Sequence, residues 1–259
     1  MAYSKQHDLA PERHDRVRAL IRAQGAVRLS EICSELHVSP ATARRDLEEL
    51  ERRGELRRVH GGAVSVHNAL EEPVFDDKAQ LGASEKRRIA EAALEFIRGG
   101  DTIYLDGGST VLELAALLCH RTDVTVVTNS VRVVQELGAI GPRLIMIGGE
   151  LRRLSQAVVG PLTRAAFEHL RVDKAFMGTL GLTLEEGLTT TDPDEAYTKE
   201  LAMSRAGQVI LLVDGSKVGK VGLSRAGELG AINLVITDKG MNPQFARQLR
   251  KTGLDIVQV

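Results

Sequence analysis

Cysteine is scarce: Cys33 and Cys119 are the only two in 259 residues, and no CxxC spacing occurs. Each falls inside a helix-like pattern, so packing is the expected role rather than a disulfide or a zinc site. No apolar run approaches the roughly 18 residues of a membrane span, and the start MAYSKQHDLAPERHDRV lacks the apolar stretch of a signal peptide. A cytoplasmic protein without a membrane partner is expected. Repeats, low-complexity tracts and sustained heptads are missing too, which ranks a structural or purely protein-binding module last. A surplus of one charge is also lacking. The net charge is −1 at pH 7, which by itself argues against nucleic acid as a partner. The distribution is uneven, however, with 12 Lys and Arg against 10 Asp and Glu through Val66, then 22 against 25 beyond it. Placement must decide what total charge cannot.

What is present is 43% hydrophobic and 27% charged residues, ample for burial in more than one domain. Three helical patterns follow one another at the front. Val17, Leu20, Ile21 and Gln24 keep i, i+3, i+4, i+7 spacing up to Gly25, and Leu29, Ile32, Cys33 and Leu36 repeat it. After HVSP, Ser39 suits an N-cap, Pro40 the first helical position, and Ala43, Leu47 and Leu50 form the third stripe. At about 100° per residue from Ala43, Arg45 lies furthest from the core, with Thr42 and Arg44 on the flanks and Ala41 also outward. Such a small, polar, basic first turn can enter a major groove, where Arg reads guanine and the helix N-terminus favours phosphate. ELRRVHGGAVSV then turns at Gly61-Gly62 as a two-stranded wing would, bringing Arg57, Arg58 and His60 near a nucleic-acid backbone. The plainer alternative is a solvated helix laced with i,i+4 pairs: Arg44 with Glu48, Arg45 with Glu49, Glu48 with Arg52, Glu49 with Arg53. It accounts for neither the Ser-Pro entry nor the glycine-turned wing.

Residues 38–64, VSPATARRDLEELERRGELRRVHGGAV, resemble the signature of the DeoR-type bacterial transcriptional regulators. Thr42, Arg44, Arg45, Asp46, Leu47, His60, Gly61, Gly62 and Ala63 match that pattern. The resemblance implies a winged helix-turn-helix on double-stranded operator DNA, with Ser39, Ala41, Thr42, Arg44, Arg45, Arg57, Arg58, His60 and Gly61 at the interface. Asp46 is expected to orient one of its neighbouring arginines, since a carboxylate facing phosphate would be repelled.

The acidic stretch around Glu71, Glu72, Asp76 and Asp77 is unlike a core, whereas Ile89, Ala93, Phe96 and Ile97 resume helical spacing. The organisation expected is therefore a DNA-binding domain over 1–66, a linker over 67–84 and an α/β domain over 85–259. From Asp101 short apolar runs alternate with helical stretches: TIYLD, VTVVTN, RLIMIGG, DKAFMGTLG, VILLVD and INLVITD, with TVLELAALLCH and DEAYTKELAMSRAG between. That rhythm predicts a mainly parallel sheet with a ligand at the strand ends. LDGGST, TNS, GGE and DGSKVGK each follow a strand-like run. Gly107 and Gly108 permit close backbone approach, Ser109 and Thr110 offer a helix start, and Lys217 suits an anion.

The same segments, in order, resemble the sensor domain of DeoR-type regulators, a relative of ribose-5-phosphate isomerase. The resemblance implies a small phosphorylated sugar or related effector held by Asp106, Gly107, Gly108, Ser109, Thr110, Thr128, Asn129, Gly149, Glu195, Lys199 and Lys217. Two departures bear on ligand choice: Ser109 stands where the family more often has Thr, and Val218 where it has Phe. Glu195 and Lys199, four apart on one helix face, fit either an acid/base pair for isomerisation or a surface salt bridge. Residues 177–183 lack the carboxylates of the isomerase loop, which favours sensing over catalysis. The expectation is a repressor working as a homodimer or homotetramer, with no catalytic residue, metal or cofactor, released from its operator by its effector.

Overall fold

The computed structural model describes residues 10–24, 26–53, 55–59, 61–65, 72–139 and 141–259, with backbone alone at 22–24, 26, 57, 59, 64 and 65. The chain divides into two compact units, 1–71 and 72–259. Residues 72–84, read from sequence as the greater part of a linker over 67–84, are thus part of the larger unit.

The first unit runs α1 (Ala10–Gln24), β1 (Ala26–Arg28), α2 (Leu29–Leu36), α3 (Pro40–Arg52), β2 (Leu56–Val59) and β3 (Gly62–Ser65). The three apolar stripes converge on one core containing Val17, Ile32, Ala43, Leu47 and Leu50. A fully buried aliphatic side chain of this kind contributes about 1.5–3 kcal/mol. His37 adopts a left-handed conformation (φ 51°) to end α2, and the Ser39 hydroxyl accepts from the Thr42 amide at 3.2 Å to start α3. β2 and β3 form the expected wing. Sequence reading missed β1, which pairs antiparallel with β3 to make a three-stranded sheet. Gly62 permits that pairing, because a Cβ there would sit 2.2 Å from the Val27 carbonyl oxygen.

The second unit begins with α4 (Phe75–Gln80), α5 (Ala83–Leu94), β4 (Thr102–Leu105), α6 (Ser109–Leu117), β5 (Thr125–Thr128), α7 (Val131–Leu137) and β6 (Arg143–Met146). It continues with β7 (Glu150–Arg152), β8 (Ala157–Val159), α8 (Arg164–His169), β9 (Val172–Met177), β10 (Gly181–Thr183), β11 (Gly187–Thr190), α9 (Pro193–Ser204) and β12 (Ala206–Leu212). β13 (Ser224–Gly227), β14 (Leu234–Thr237), α10 (Pro243–Lys251) and β15 (Asp255–Gln258) complete it.

Seven strands form a wholly parallel sheet in the order β15-β14-β12-β9-β4-β5-β6. Successive side chains point to opposite faces, and both faces are covered. Ile103, Leu105, Ile210, Leu212 and Ile236 pack with Ile89, Ala93 and Leu114 of α5 and α6. Tyr104, Leu211 and Val235 pack on the other side with Ala202 of α9 and Leu249 of α10. Burial on two faces explains why the strands read as unbroken apolar runs. Two antiparallel additions were not expected from sequence, the β7-β8 hairpin and the β10-β11-β13 sheet. The stretch read as helix through Gly207 ends at Ser204, because Ala206 onward is drawn into the ladder beside β9.

Candidate nucleic-acid interface and ligand pocket

Arg44 and Arg45 are both exposed near the start of α3. The acidic residues meant to neutralise them are engaged elsewhere. Glu49 pairs with Arg52 and Arg53 at 2.7 and 2.8 Å, and Glu48 with Arg58 of the wing at 2.8 Å. Among the described residues Arg44 and Arg45 therefore have no ion-pair partner. Ala41 is exposed and Thr42 half-buried beside them. Gly61 carries the positive φ of the wing turn (89°), and Arg57 pairs with Val64 through the backbone. His60, and the Arg57 side chain, lie outside what is described.

The expectation for Asp46 needs correcting. Its carboxylate is buried and turned inward, receiving Arg13 of α1 through Nε and Nη2, each at 2.9 Å, with His14 Nε2 at 3.2 Å. Position 46 lies three after Ala43 and four before Leu50, so helical phase places it on the core stripe, away from the arginines next to it in sequence. It ties α1 to α3. Asp46→Ala should lower the stability of this unit by about 1.5–3 kcal/mol, the scale of a charged hydrogen bond; an unchanged urea midpoint for the first unit's transition would show the tie to be dispensable.

In the larger unit the chain lays β5 and β6 on one side of β4, then returns to place β9 on the other. That reversal is a topological switch point, and a crevice opens beyond the strand ends there. Asp106 follows β4, and Gly178 follows β9. The Asp106 carboxylate accepts from the Gly178 amide at 2.9 Å and from Lys199 Nζ, which also donates to the Gly178 carbonyl at 3.1 Å. Gly108 and Gly178 meet closely; a Cβ on Gly108 would stand 3.5 Å from the Gly178 Cα.

Lys199 lies 3.6 Å from Glu195 and is buried, so the pair is no surface bridge. Burial alone would lower the Lys199 pKa, but Asp106 and Glu195 hold it above the ordinary lysine value. Arg152 of the β7-β8 hairpin reaches Glu195 at 3.2 Å, Asp192 at 3.0 Å and Glu72 at 2.8 Å. Glu72 is also held by Lys78 at 2.8 Å and accepts from the Thr191 hydroxyl at 2.6 Å, leaving its side chain 2% exposed. Burial works to raise the Glu72 pKa, yet Lys78, Thr191 and Arg152 outweigh it and bring it to about 2.

Gly107, Gly108, Ser109, Thr110, Glu195, Lys199 and Lys217 line one cavity of about 30 Å³ together with Glu72, Lys78, Thr179 and Asp214. Lys217 has no ion pair among the described residues; burial pushes its pKa down while Asp214 pulls the other way. The neighbouring Lys86, brought to about 8 mainly by burial, donates to the carbonyls of Lys78 and of Leu81, the latter at 2.6 Å.

Four positions expected in the pocket stand outside this lining. Asp106 bonds to Gly178 and Lys199, which line the cavity, without lining it itself. Thr128 donates to the Leu105 carbonyl at 2.6 Å, and Asn129 Nδ2 donates to the Val158 carbonyl at 2.9 Å. Gly149, at φ 157°, gives way to Val158 Cγ1 and Thr163, which a Cβ would meet at 2.8 and 3.0 Å. Conversely Glu72, Lys78 and Arg152 were not singled out from sequence. Glu72 and Lys78 sit in a stretch that reads as an acidic connector, and no local spacing links them to Arg152. A larger open groove of about 880 Å³, bordered by Met203, Arg225 and Glu228, gathers no comparable cluster, and its Arg225 already faces Glu228 at 3.6 Å.

Comparison with known proteins agrees with both units. Residues 13–69 match the DeoR-like helix-turn-helix domain, and residues 82–239 the DeoR C-terminal sensor domain. The HTH-type transcriptional regulator GlpR of Haloferax volcanii is 35% identical over 249 residues, covering 96% of this chain and 98% of the relative. The lactose phosphotransferase system repressor of Staphylococcus epidermidis is 39% identical over 233 residues, 88% of this chain and 91% of the relative. Among solved structures, a D-ribose-5-phosphate isomerase in complex with phospho-erythronic acid overlaps 53% of this chain and 55% of its own, at 19% identity and a TM-score of 0.41. Matched along nearly its whole length in this way, the chain belongs to the DeoR family of transcriptional regulators.

Proposed function

We propose that this regulator represses a carbohydrate-metabolism operon and leaves its operator when a small phosphorylated sugar fills the crevice at the switch point. The observation that carries the DNA half is the pair Arg44 and Arg45, exposed at a capped helix start with no ion-pair partner among the described residues, while Glu48 and Glu49 are engaged by Arg58, Arg52 and Arg53. Free guanidinium groups there are set to meet guanine or phosphate. The ligand half is supported by Lys217, a half-buried cation with no ion pair among the described residues, lining the same cavity as Ser109 and Thr110 at a helix start. The lactose phosphotransferase system repressor named among its relatives supports the carbohydrate reading. Repression needs two heads on one operator, hence a homodimer or homotetramer working in the cytoplasm.

An isomerase retaining catalysis is the competing reading. Against it, Lys199 is kept charged between two carboxylates and so is a poor proton acceptor, and residues 177–183 bring no carboxylate to the crevice. Steady conversion of pentose or hexose phosphates by the purified chain would favour the enzyme.

The regulatory reading is tested on Lys217. A thermal-shift screen of phosphorylated sugars first identifies the effector, since a ligand selective for the native state raises apparent stability. Lys217→Ala is then expected to bind the operator as the unaltered chain does but to stay bound when effector is added, a super-repressed phenotype in the cell. Release at the normal effector concentration would remove Lys217 from the pocket, and loss of operator binding without ligand would make it a residue of fold or assembly.

A further inference from the structure

The cavity at the switch point has the volume of about one water, whereas pockets for drug-sized ligands run to about 300–1,000 Å³. Glu72 and Lys78 are part of its wall. Glu72 projects its carboxylate among Lys78, Arg152 and Thr191, and α4 follows directly behind it. Lys86 fastens this segment from below through the Lys78 and Leu81 carbonyls. We propose that Glu72 is an internal stand-in for the ligand's anionic group, a plug that an incoming phosphate must displace, with Lys78 and Lys217 then holding the phosphate in its place. The inference rests on the ligand reading given above and adds to it a binding site and a way of opening it.

Charge bookkeeping argues for displacement over simple addition. With Glu72 seated, Lys78 is neutralised. Withdrawn, it leaves Lys78 with no ion pair among the described residues, next to Lys217, which has none already. Two unpaired ammonium groups then face one crevice, the demand that a phosphate dianion meets. Arg152 is different, because it keeps Asp192 and Glu195 at 3.0 and 3.2 Å. It would remain in position to orient the ligand and need not be neutralised by it. A buried charge stripped of its partner is costly, so the open state forms appreciably only when an anion arrives. Glu72 also opens the larger unit, where the chain enters it from the first. Expelling it moves the very segment through which the chain passes to the DNA-binding unit, and a ligand that favours the expelled state shifts that equilibrium by its differential affinity.

The test uses the full chain with inorganic phosphate as the probe. Glu72→Gln keeps the size of the side chain and removes the charge that competes. Titration calorimetry is expected to give phosphate an affinity at least about tenfold higher for Glu72→Gln than for the unaltered chain, because apparent affinity scales with the fraction already open. Equal or weaker affinity, or no binding by the variant, would overturn the plug. Hydrogen exchange on the unaltered chain needs no substitution. The Lys78 and Leu81 amides, bonded to Val74 and Asp77 carbonyls, should lose protection as phosphate is added, and protection that persists while phosphate binds would also overturn it. The two readings separate cleanly. Sugar phosphates that release the operator without either effect leave the regulator intact and sink the plug. Both effects without any release of operator support the plug and count against the proposed response.

Discussion

Lys199→Met is expected to destabilise the larger unit by about 3–5 kcal/mol, the range for breaking a buried ion pair by deleting one member. The side chains of Asp106 and Lys199 are 2% and 5% exposed, and Glu195 stands 3.6 Å from the same ammonium. Methionine fills the volume but leaves two carboxylates facing each other with little water. Asp106 would keep one donor, the Gly178 amide, which is not enough to offset its loss of hydration. The double variant Asp106→Asn, Lys199→Met should recover part of the loss, since it removes a stranded charge and makes the cycle non-additive. Calorimetric melting of the full chain, with the two units' transitions assigned separately, provides the measurement. A loss below about 1 kcal/mol would mean that solvent screens the cluster as it does a surface pair.

The same cluster shows where sequence reading reaches its limit. Signals carried by neighbours along the chain were legible. Ser39-Pro40 marks the start of α3, Gly61-Gly62 marks the wing turn, and the apolar runs of β4, β12 and β14 mark a sheet covered on both sides. The grouping of Gly107, Gly108, Ser109, Thr110 and Lys217 around one cavity was also legible, because strand ends in a parallel sheet gather at one edge, whereas Asp106 and Lys199 came only from the family resemblance. What escaped depended on contacts between distant parts of the chain. The three residues of β1 carry no periodicity of their own and become a strand only because Gly62 lets β3 approach. Glu72 reads as solvated linker until Arg152 and Thr191 are brought to it by the β7-β8 hairpin and the end of β11. Asp46 failed for a different reason. Adjacency to Arg45 in sequence is no guide to contact, because a helix turns consecutive residues about 100° apart, and Arg13 of another helix is the true neighbour.

That redistribution of charge on α3 sharpens what removing its free arginines should do. Arg45→Ala is expected to weaken operator binding by about 1–3 kcal/mol and to relax the preference at one base pair, as loss of a bidentate guanine contact does. Arg44→Ala should cost a similar amount if it too reads a base, and less if it meets phosphate. The double variant should then approach non-specific affinity. Arg58→Ala supplies the contrast, because Arg58 already shares its charge with Glu48 at 2.8 Å. Its loss should be smaller and equal for every sequence, and should shallow the salt dependence by about one unit, the sign of a phosphate contact. Titrating each variant against the operator and against single-base substitutions, at several salt concentrations, separates the outcomes. If Arg45→Ala weakened all sequences alike and changed only the salt slope, Arg45 would be a backbone anchor and base readout would have to come from the first turn, from Ala41 and Thr42. If it changed neither, α3 would not be the helix that enters the groove, and the unpaired arginines at its start would need another partner.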